Sequence, residues 1–231
     1  MTARTMSPMP SVERKPAPWA LQGQAWIVVL RLSATSPARS VFLPADLQST
    51  LSAPVSVLTV VDYSSAPCGP YRELLFIPGT LRFADGRRHA SISRIVVSTW
   101  ESVVNGRANW GIPKDIAEFD VKAEGSRTHV VVREPGHAHT LCNIRFGPTR
   151  GPRLPLSTRW LPPPWRALAQ RLDGSTFVYR PWARGTMRCC NVEDVSIDAT
   201  SFPDIATERV LATLHVDRFD MTFPVARVLG S

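Results

Sequence analysis

Between Ala25 and Phe219 the chain is a succession of short apolar-polar alternations cut by turns. Nowhere does a helical period of 3.6 persist for more than a turn or two. Compact β-prone runs occupy Ala25 to Leu32, Val55 to Tyr63 and Tyr71 to Ile77, the last following the turn-like Ser64-Ser-Ala-Pro-Cys-Gly-Pro70. Arg88 to Ser98, Ile116 to Ala123, His129 to Arg133 and Ala138 to Phe146 continue the pattern, with turns at Glu124-Gly and Pro135-Gly. Phe177 to Trp182, Thr186 to Ala199 and Arg209 to Phe219 complete it. Ten or so strands with few helices and no βα alternation argue for an all-β or β-rich barrel. Helix is expected in two places. One is Thr99 to Val104, with Thr99 as N-cap and an end near Gly106; the other is a turn or two within Trp165 to Leu172. Gly147 to Pro164, dense in Pro, Arg and Gly, reads as a surface loop.

No repeat and no linker divides the 231 residues. Residues 1–18, rich in Pro, Ser and basic side chains and without an apolar h-region, are expected to form a flexible tail. The domain proper is expected over 19–231. No apolar run approaches the roughly 20 residues of a membrane span. Cys68, Cys142, Cys189 and Cys190 lack metal spacing, and without a secretion signal they are expected as free thiols in a reducing cytoplasm. His137 and His139 share a strand face but have no third ligand in sequence, so no metal and no other cofactor is expected. The net charge of +8 and pI near 10.0 come from arginines spread along the chain. No basic run and no recognition motif accompanies them, so no specific nucleic acid partner is expected. Such a charge draws small carboxylates toward clefts as readily.

Of the 27 basic residues only three are lysines, Lys15, Lys114 and Lys122. Lys114 closes the most patterned stretch, Asn105-Gly-Arg-Ala-Asn-Trp-Gly-Ile-Pro-Lys114. Where arginine is so strongly preferred, a lysine stands out for what only it can do: lose its proton when desolvated and attack a carbonyl as a neutral amine. Trp110, Ile112, Pro113 and Ile116 bracket it and disfavour the ammonium form if the segment is buried. The alternative reading is a lysine that caps a turn and reaches out to water.

Gly106-Arg107 followed by Trp110-Gly-Ile-Pro-Lys114 resembles the glycine-arginine and proline-lysine signature of the acetoacetate decarboxylase-like superfamily. Gly69-Pro-Tyr-Arg-Glu73 resembles that family's segment ending in Tyr-x-Glu, and the interval from Glu73 to Lys114 is 41 residues, close to the family's spacing. Val210-Leu-Ala-Thr-Leu-His and Phe223-Pro-Val-Ala are similar to its last strands, so the likeness spans Trp19 to Leu229 in outline. The resemblance implies a cone-shaped, largely antiparallel β-barrel with sheet extensions and few short helices, usually a homo-oligomer. It also implies a lysine that forms a Schiff base with a keto acid or related carbonyl compound. Lys114 is then the candidate nucleophile and Glu73 a catalytic carboxylate. The reaction class is a lyase: decarboxylase, aldolase or dehydratase. The alternative is a non-catalytic barrel that binds small molecules.

Tyr71, Trp110 and Arg107 are the candidate substrate-pocket residues. Each has a competing role, Tyr71 and Trp110 as core packing and Arg107 as a buried ion-pair or loop anchor. Barrel logic adds Phe76 and Met187 as cavity-lining candidates. Three departures from the family pattern stand out. Asp115 replaces a second lysine, Leu58 falls where a second glutamate is expected, and no arginine occurs near Gln22 to Gln24.

Overall fold

The structure, a computed structural model, describes residues 9–230. In chain order the first strands are β1 (Trp19–Arg31), β2 (Ser56–Ser65), β3 (Tyr71–Ile77), β4 (Thr80–Arg82), β5 (Arg88–Ala90), β6 (Arg94–Val97) and β7 (Lys114–Ile116). There follow β8 (Glu118–Glu124), β9 (Arg127–Arg133), β10 (Thr140–Phe146), β11 (Arg150–Ser157), β12 (Leu168–Leu172) and β13 (Ser175–Tyr179). The last are β14 (Trp182–Cys190), β15 (Val192–Ile197), β16 (Arg209–Phe223) and β17 (Arg227–Leu229). Two α-helices, α1 (Ala45–Gln48) and α2 (Trp100–Trp110), interrupt them.

The strands form an eight-stranded sheet in the order β11-β14-β16-β1-β2-β3-β6-β7, a four-stranded sheet β15-β10-β9-β8 and a five-stranded sheet β17-β13-β12-β5-β4. Pairing is antiparallel except at β6/β7 and β12/β5. The mainly β expectation holds. Among the described residues the pairing gives three open sheets, and it does not close them into a ring.

The large sheet is apolar on both faces, which is why its strands alternate so weakly in sequence. One face carries Trp26, Val28, Leu30, Leu58, Val60, Leu74, Phe76 and Val96 against Val130, Val132, Ile144 and Phe146 of the four-stranded sheet. Each such aliphatic or aromatic side chain taken out of water contributes about 1.5–3 kcal/mol. The other face carries Leu21, Ala25, Val61, Tyr63, Tyr71, Ile95 and Val97, covered by Trp110, Ile112 and Tyr179. Gly23 sits where β1 crosses β2 so closely that a Cβ would lie 2.3 Å from the Asp62 carbonyl oxygen. Beside it the β1/β16 register slips between Gly23 and Ala25. That bulge changes which β16 side chains face inward, from Phe219, Met221 and Phe223 to Val216.

Several elements differ from the sequence reading. Helix α2 has its N-cap at Thr99, whose side chain accepts from Ser102 N, but it runs through Gly106 and ends at Trp110. Its C-cap is Gly111, in the left-handed region at φ 63°. Leu168–Leu172 is a strand and not a helical turn. It forms a hairpin with β13 across Asp173-Gly174, whose φ angles of 49° and 78° are those of a two-residue turn with both centres left-handed. The loop expected over Gly147 to Pro164 contains β11, an edge strand, which is where Pro152 and Pro155 are tolerated. Of the expected tail, Met1 to Pro8 lies outside the described residues. The described part is held to α2: Asn105 Nδ2 donates to Glu13 O at 3.0 Å and Asn109 Nδ2 to Lys15 O at 2.8 Å. No helix among the described residues is long and apolar enough to cross a membrane.

Candidate active site

The cavity-facing side of β3 presents Tyr71 and Glu73, and the short strand β7 brings Lys114 to the same place. β7 lies in the sheet because Ile95, Val96 and Val97 of β6 pair with it in parallel. It also lies against α2, where Arg107 Nε donates to the Lys114 carbonyl at 2.9 Å. Gly106 clears the way for the lysine stem. A Cβ there would stand 2.7 Å from Lys114 Cδ and 2.9 Å from Cε. The stem crosses the helix at Gly106 and its amine reaches Ser102, one turn earlier on the same face.

The amine has three polar partners. Lys114 Nζ donates to Glu73 Oε2 at 2.9 Å, to Ser102 Oγ at 3.0 Å and to Tyr71 OH at 3.5 Å. It also lies 4.9 Å from the centre of the Tyr71 ring. The second Glu73 oxygen accepts from Tyr63 OH at 3.5 Å, and the Tyr63 and Tyr71 rings are 4.5 Å apart. Lys114 and Glu73 are each only 4% exposed, so the ion pair is out of water.

Burial alone pulls the Lys114 amine down, but the Glu73 carboxylate and Tyr71 beside it more than offset that, and the amine is held above the usual lysine range. Burial followed by the Glu73 charge pushes the Tyr63 phenol well up, and burial likewise raises Tyr71 despite the nearby Lys114 charge. The sequence reading had burial disfavouring the ammonium form at Lys114. The Glu73 carboxylate in direct contact at 2.9 Å turns that balance round. Burial also pushes the nearby Cys68 thiol up to about 11, so it stays protonated at neutral pH.

The amine opens onto a cavity of about 270 Å³ walled mainly by β1, β2, β3 and β16, with Ile95 of β6, Leu156 of β11, Leu168 of β12 and Ala183 of β14. Trp110 lines it, its indole NH donating to Pro224 O at 2.7 Å and its ring edge-on to Trp19 at 5.1 Å. Lys114, Glu73, Tyr71 and Trp110 therefore come together.

Arg107 does not join them. It anchors the β7 backbone and donates to Asp115 Oδ1 at 2.9 Å, while Arg94 pairs with the other Asp115 oxygen. Asp115 thus faces away from the amine, as an extended segment requires. Phe76 packs against the four-stranded sheet, and Met187 packs beside the cavity-side core without lining the cavity. Leu58 pairs with Phe76 on the side away from the cavity; the residue opposite Glu73 is Val61. Gln22 and Gln24 bond Asp220 and Asp62 and do not line the cavity.

Ser102 and Tyr63 are site residues that the sequence reading missed. Ser102 was signalled by its four-residue spacing from Gly106, visible only if α2 is read past that glycine. Tyr63 was signalled by parity along β2, which places it on the cavity side with Thr59 and Val61.

Gly106→Ala supplies a direct check of this packing. Alanine would ordinarily stabilise a helix interior by about 0.5–1 kcal/mol. Here the added methyl must push the lysine stem off its seat. The variant is expected to fold with its helix intact and to lose roughly tenfold or more in the rate at which Lys114 reacts with a carbonyl, because a 1 Å misplacement costs about that or more. Unchanged reactivity, measured by hydride trapping, would show that the stem does not depend on the gap.

A buried lysine–glutamate pair on the wall of an apolar cavity, in a mainly β fold, is the site that defines this chain. The acetoacetate decarboxylase family model matches residues 6–188, and the chain belongs to that family. No curated protein matches it. Among solved structures, acetoacetate decarboxylase from Legionella pneumophila superposes with a TM-score of 0.70 at 13% identity, covering 100% of this chain and 98% of that one. An acetoacetate decarboxylase-like enzyme from Sphingomonas wittichii RW1 gives 0.66 at 16% identity, with 94% of each chain covered. The enduracididine biosynthesis enzyme MppR, complexed with the condensation product of pyruvate and imidazole 4-carboxaldehyde, gives 0.59 at 16% identity, covering 94% and 90%. At these identities the likeness speaks for the fold.

Proposed function

We propose that the protein is a lyase that forms a Schiff base at Lys114 with a keto acid or related carbonyl compound. The observation that carries this reading is the Lys114 amine, buried in an apolar cavity with Glu73, Ser102 and Tyr71 all within hydrogen-bond reach. In the resting site the amine is an ammonium. Reaction begins when a bound carbonyl displaces part of that network and Nζ passes a proton to Glu73 Oε2. The neutral amine adds to the carbonyl carbon, and the C=O electron pair moves to oxygen. That oxygen takes one proton from Glu73 and one from the nitrogen and leaves as water. The product is a protonated imine beside a Glu73 carboxylate. The iminium then withdraws electrons from the adjacent carbon, the step shared by decarboxylation, retro-aldol cleavage and dehydration. Tyr63 and Tyr71, both held protonated, are placed to donate hydrogen bonds to the departing oxygen.

The neighbour MppR has been observed with pyruvate, which supports a carbonyl compound of that kind as ligand. The family resemblance supports the remaining parts of the proposal: one domain over 19–231 with a cone-shaped barrel outline, a homo-oligomeric state and a cytoplasmic location. Borohydride added in the presence of keto acids and simple carbonyls should leave a stable mass adduct that maps to Lys114. The second reading, a binding protein without turnover, draws on the tight Lys114–Glu73 pair, which holds the amine protonated. Ligand-induced stabilisation with no adduct for any carbonyl would favour it.

A further inference from the structure

The cavity is chemically lopsided. At its closed end lie Tyr71 and Glu73, both buried; two and four residues further along the same face of β3, Leu75 and Ile77 are only half-buried. Partly exposed wall residues mark where a cavity meets solvent. That opening is bordered by Leu75 and Ile77, by Ile27 and Thr59, the cross-strand neighbours in the Leu75 row, and by the half-buried Met221 and Leu156.

Among the described lining residues Lys114 is the sole cation, and its charge is already matched by Glu73. Arg94 and Arg107, which flank the lysine's strand, are committed to Asp115 behind β7. A substrate carboxylate in this cavity would meet apolar walls and a like charge on Glu73, without a cation to pair with. Buried carboxylates without partners are excluded or forced neutral. The volume of about 270 Å³, roughly nine water volumes at about 30 Å³ each, is also far more than a three-carbon keto acid fills.

Resting on the Schiff-base reading above, we propose that the compound this site takes is a neutral ketone or aldehyde with an extended apolar substituent. The carbonyl carbon sits at Lys114 Nζ and the alkyl or aryl tail lies along Leu75, Ile77 and Ile27 toward the opening. The covalent step is the one already balanced: the C–N bond forms at Nζ and carbonyl oxygen leaves as water with two protons from the original ammonium.

The test is the rate of borohydride-trapped adduct on Lys114 of the full chain across acetone, 2-butanone, 2-hexanone, 2-octanone and 4-phenyl-2-butanone, against pyruvate and acetoacetate. Trapping efficiency should climb by roughly three- to fourfold per methylene until the cavity is filled, and 2-octanone should exceed pyruvate by at least tenfold. Pyruvate or acetoacetate trapped as fast as 2-octanone would overturn the substrate class while leaving imine formation standing. Absence of adduct with every compound would instead remove the Schiff-base reading. In that case quenching of Trp19 and Trp110 fluorescence decides the substrate class: tighter binding of 2-octanone than of pyruvate upholds the apolar, neutral preference, and the reverse overturns it. Leu75→Arg, which adds a cation to the half-buried wall, should shift preference toward the keto acids; a folded variant with unchanged preference counts against the proposal.

Discussion

Lys114→Arg should reduce hydride-trapped adduct to background, a loss of roughly a thousandfold or more, as removal of a nucleophile does elsewhere. The substitution keeps the positive charge that Glu73 requires. What it removes is the transferable lone pair, because a guanidinium does not deprotonate in the accessible pH range. The longer side chain must still cross Gly106, so part of the effect on folding is steric and should be read separately from the melting temperature. A folded variant that retains the adduct, mapped by peptide mass to any residue, would show that the nucleophile has been misassigned. Lys114→Met, which removes the charge as well, should lose trapping equally but leave Glu73 buried without its partner.

Glu73→Gln is expected to reverse the sign of the pH dependence contributed by Lys114. In the native protein the amine is held above its unfolded value near 10.4. Its contribution to stability is therefore complete below that pH and disappears as pH climbs through the higher folded value. Without the carboxylate, only burial, Ser102 and Tyr71 act on the amine, and burial favours the neutral form. The folded value then drops below the unfolded one, and the unfolded state binds the extra proton at neutral pH. The variant should consequently be destabilised by about 3 kcal/mol near pH 7, in line with breaking a buried ion pair. It should recover stability as pH rises toward 10. Urea midpoints at pH 7 and pH 10 measure this directly: the native midpoint holds or falls over that interval, whereas the variant midpoint rises. The same change should free the amine, so its addition to the carbonyl persists at lower pH while the loss of water, which draws a proton from Glu73, is slowed. A variant midpoint that falls with pH would mean that something other than Glu73 holds the amine charged.

The parts of the fold that could be read from sequence were those where local pattern and tertiary packing agree. Tyr71 to Ile77 has its strand bounds at the expected residues because turn residues punctuate it. Thr99 caps α2 as read because capping is local chemistry. Errors arose where one residue type serves two purposes. Gly106 looked like a helix stop, yet it is a gap in the helix surface for a side chain from another strand, and a long-range contact of that kind leaves no local trace. Asp173-Gly174 is a strong hairpin signal that the reading of Trp165 to Leu172 as helical passed over. At the site, Lys114 and Glu73 were legible from paired motifs, and their convergence needed only that β3, β6 and β7 be neighbours. Arg107 entered the pocket candidates with its motif, and helical geometry turns it toward Asp115, the ion-pair and anchor role that competed for it. The contact that sets the charge state of Lys114 depends on tenths of an ångström between two strands, beyond the reach of spacing arguments.

The arrangement of Arg94 and Arg107 around Asp115 has a consequence for how such a protein can change over generations. These residues grip β7 from behind, through the Lys114 carbonyl and the neighbouring carboxylate, while the wall residues Ile27, Leu75 and Met221 belong to β1, β3 and β16. The reactive side chain and this part of the surface that selects its ligand are thus anchored to different residues. Exchanging Ile27, Leu75 or Met221 alters what fits without loosening the lysine. Ligand preference can then drift by single wall substitutions, each tolerable on its own, while the lysine keeps its place. A scaffold built this way suits laboratory retooling for the same reason: libraries confined to the walls leave the anchor behind β7 untouched.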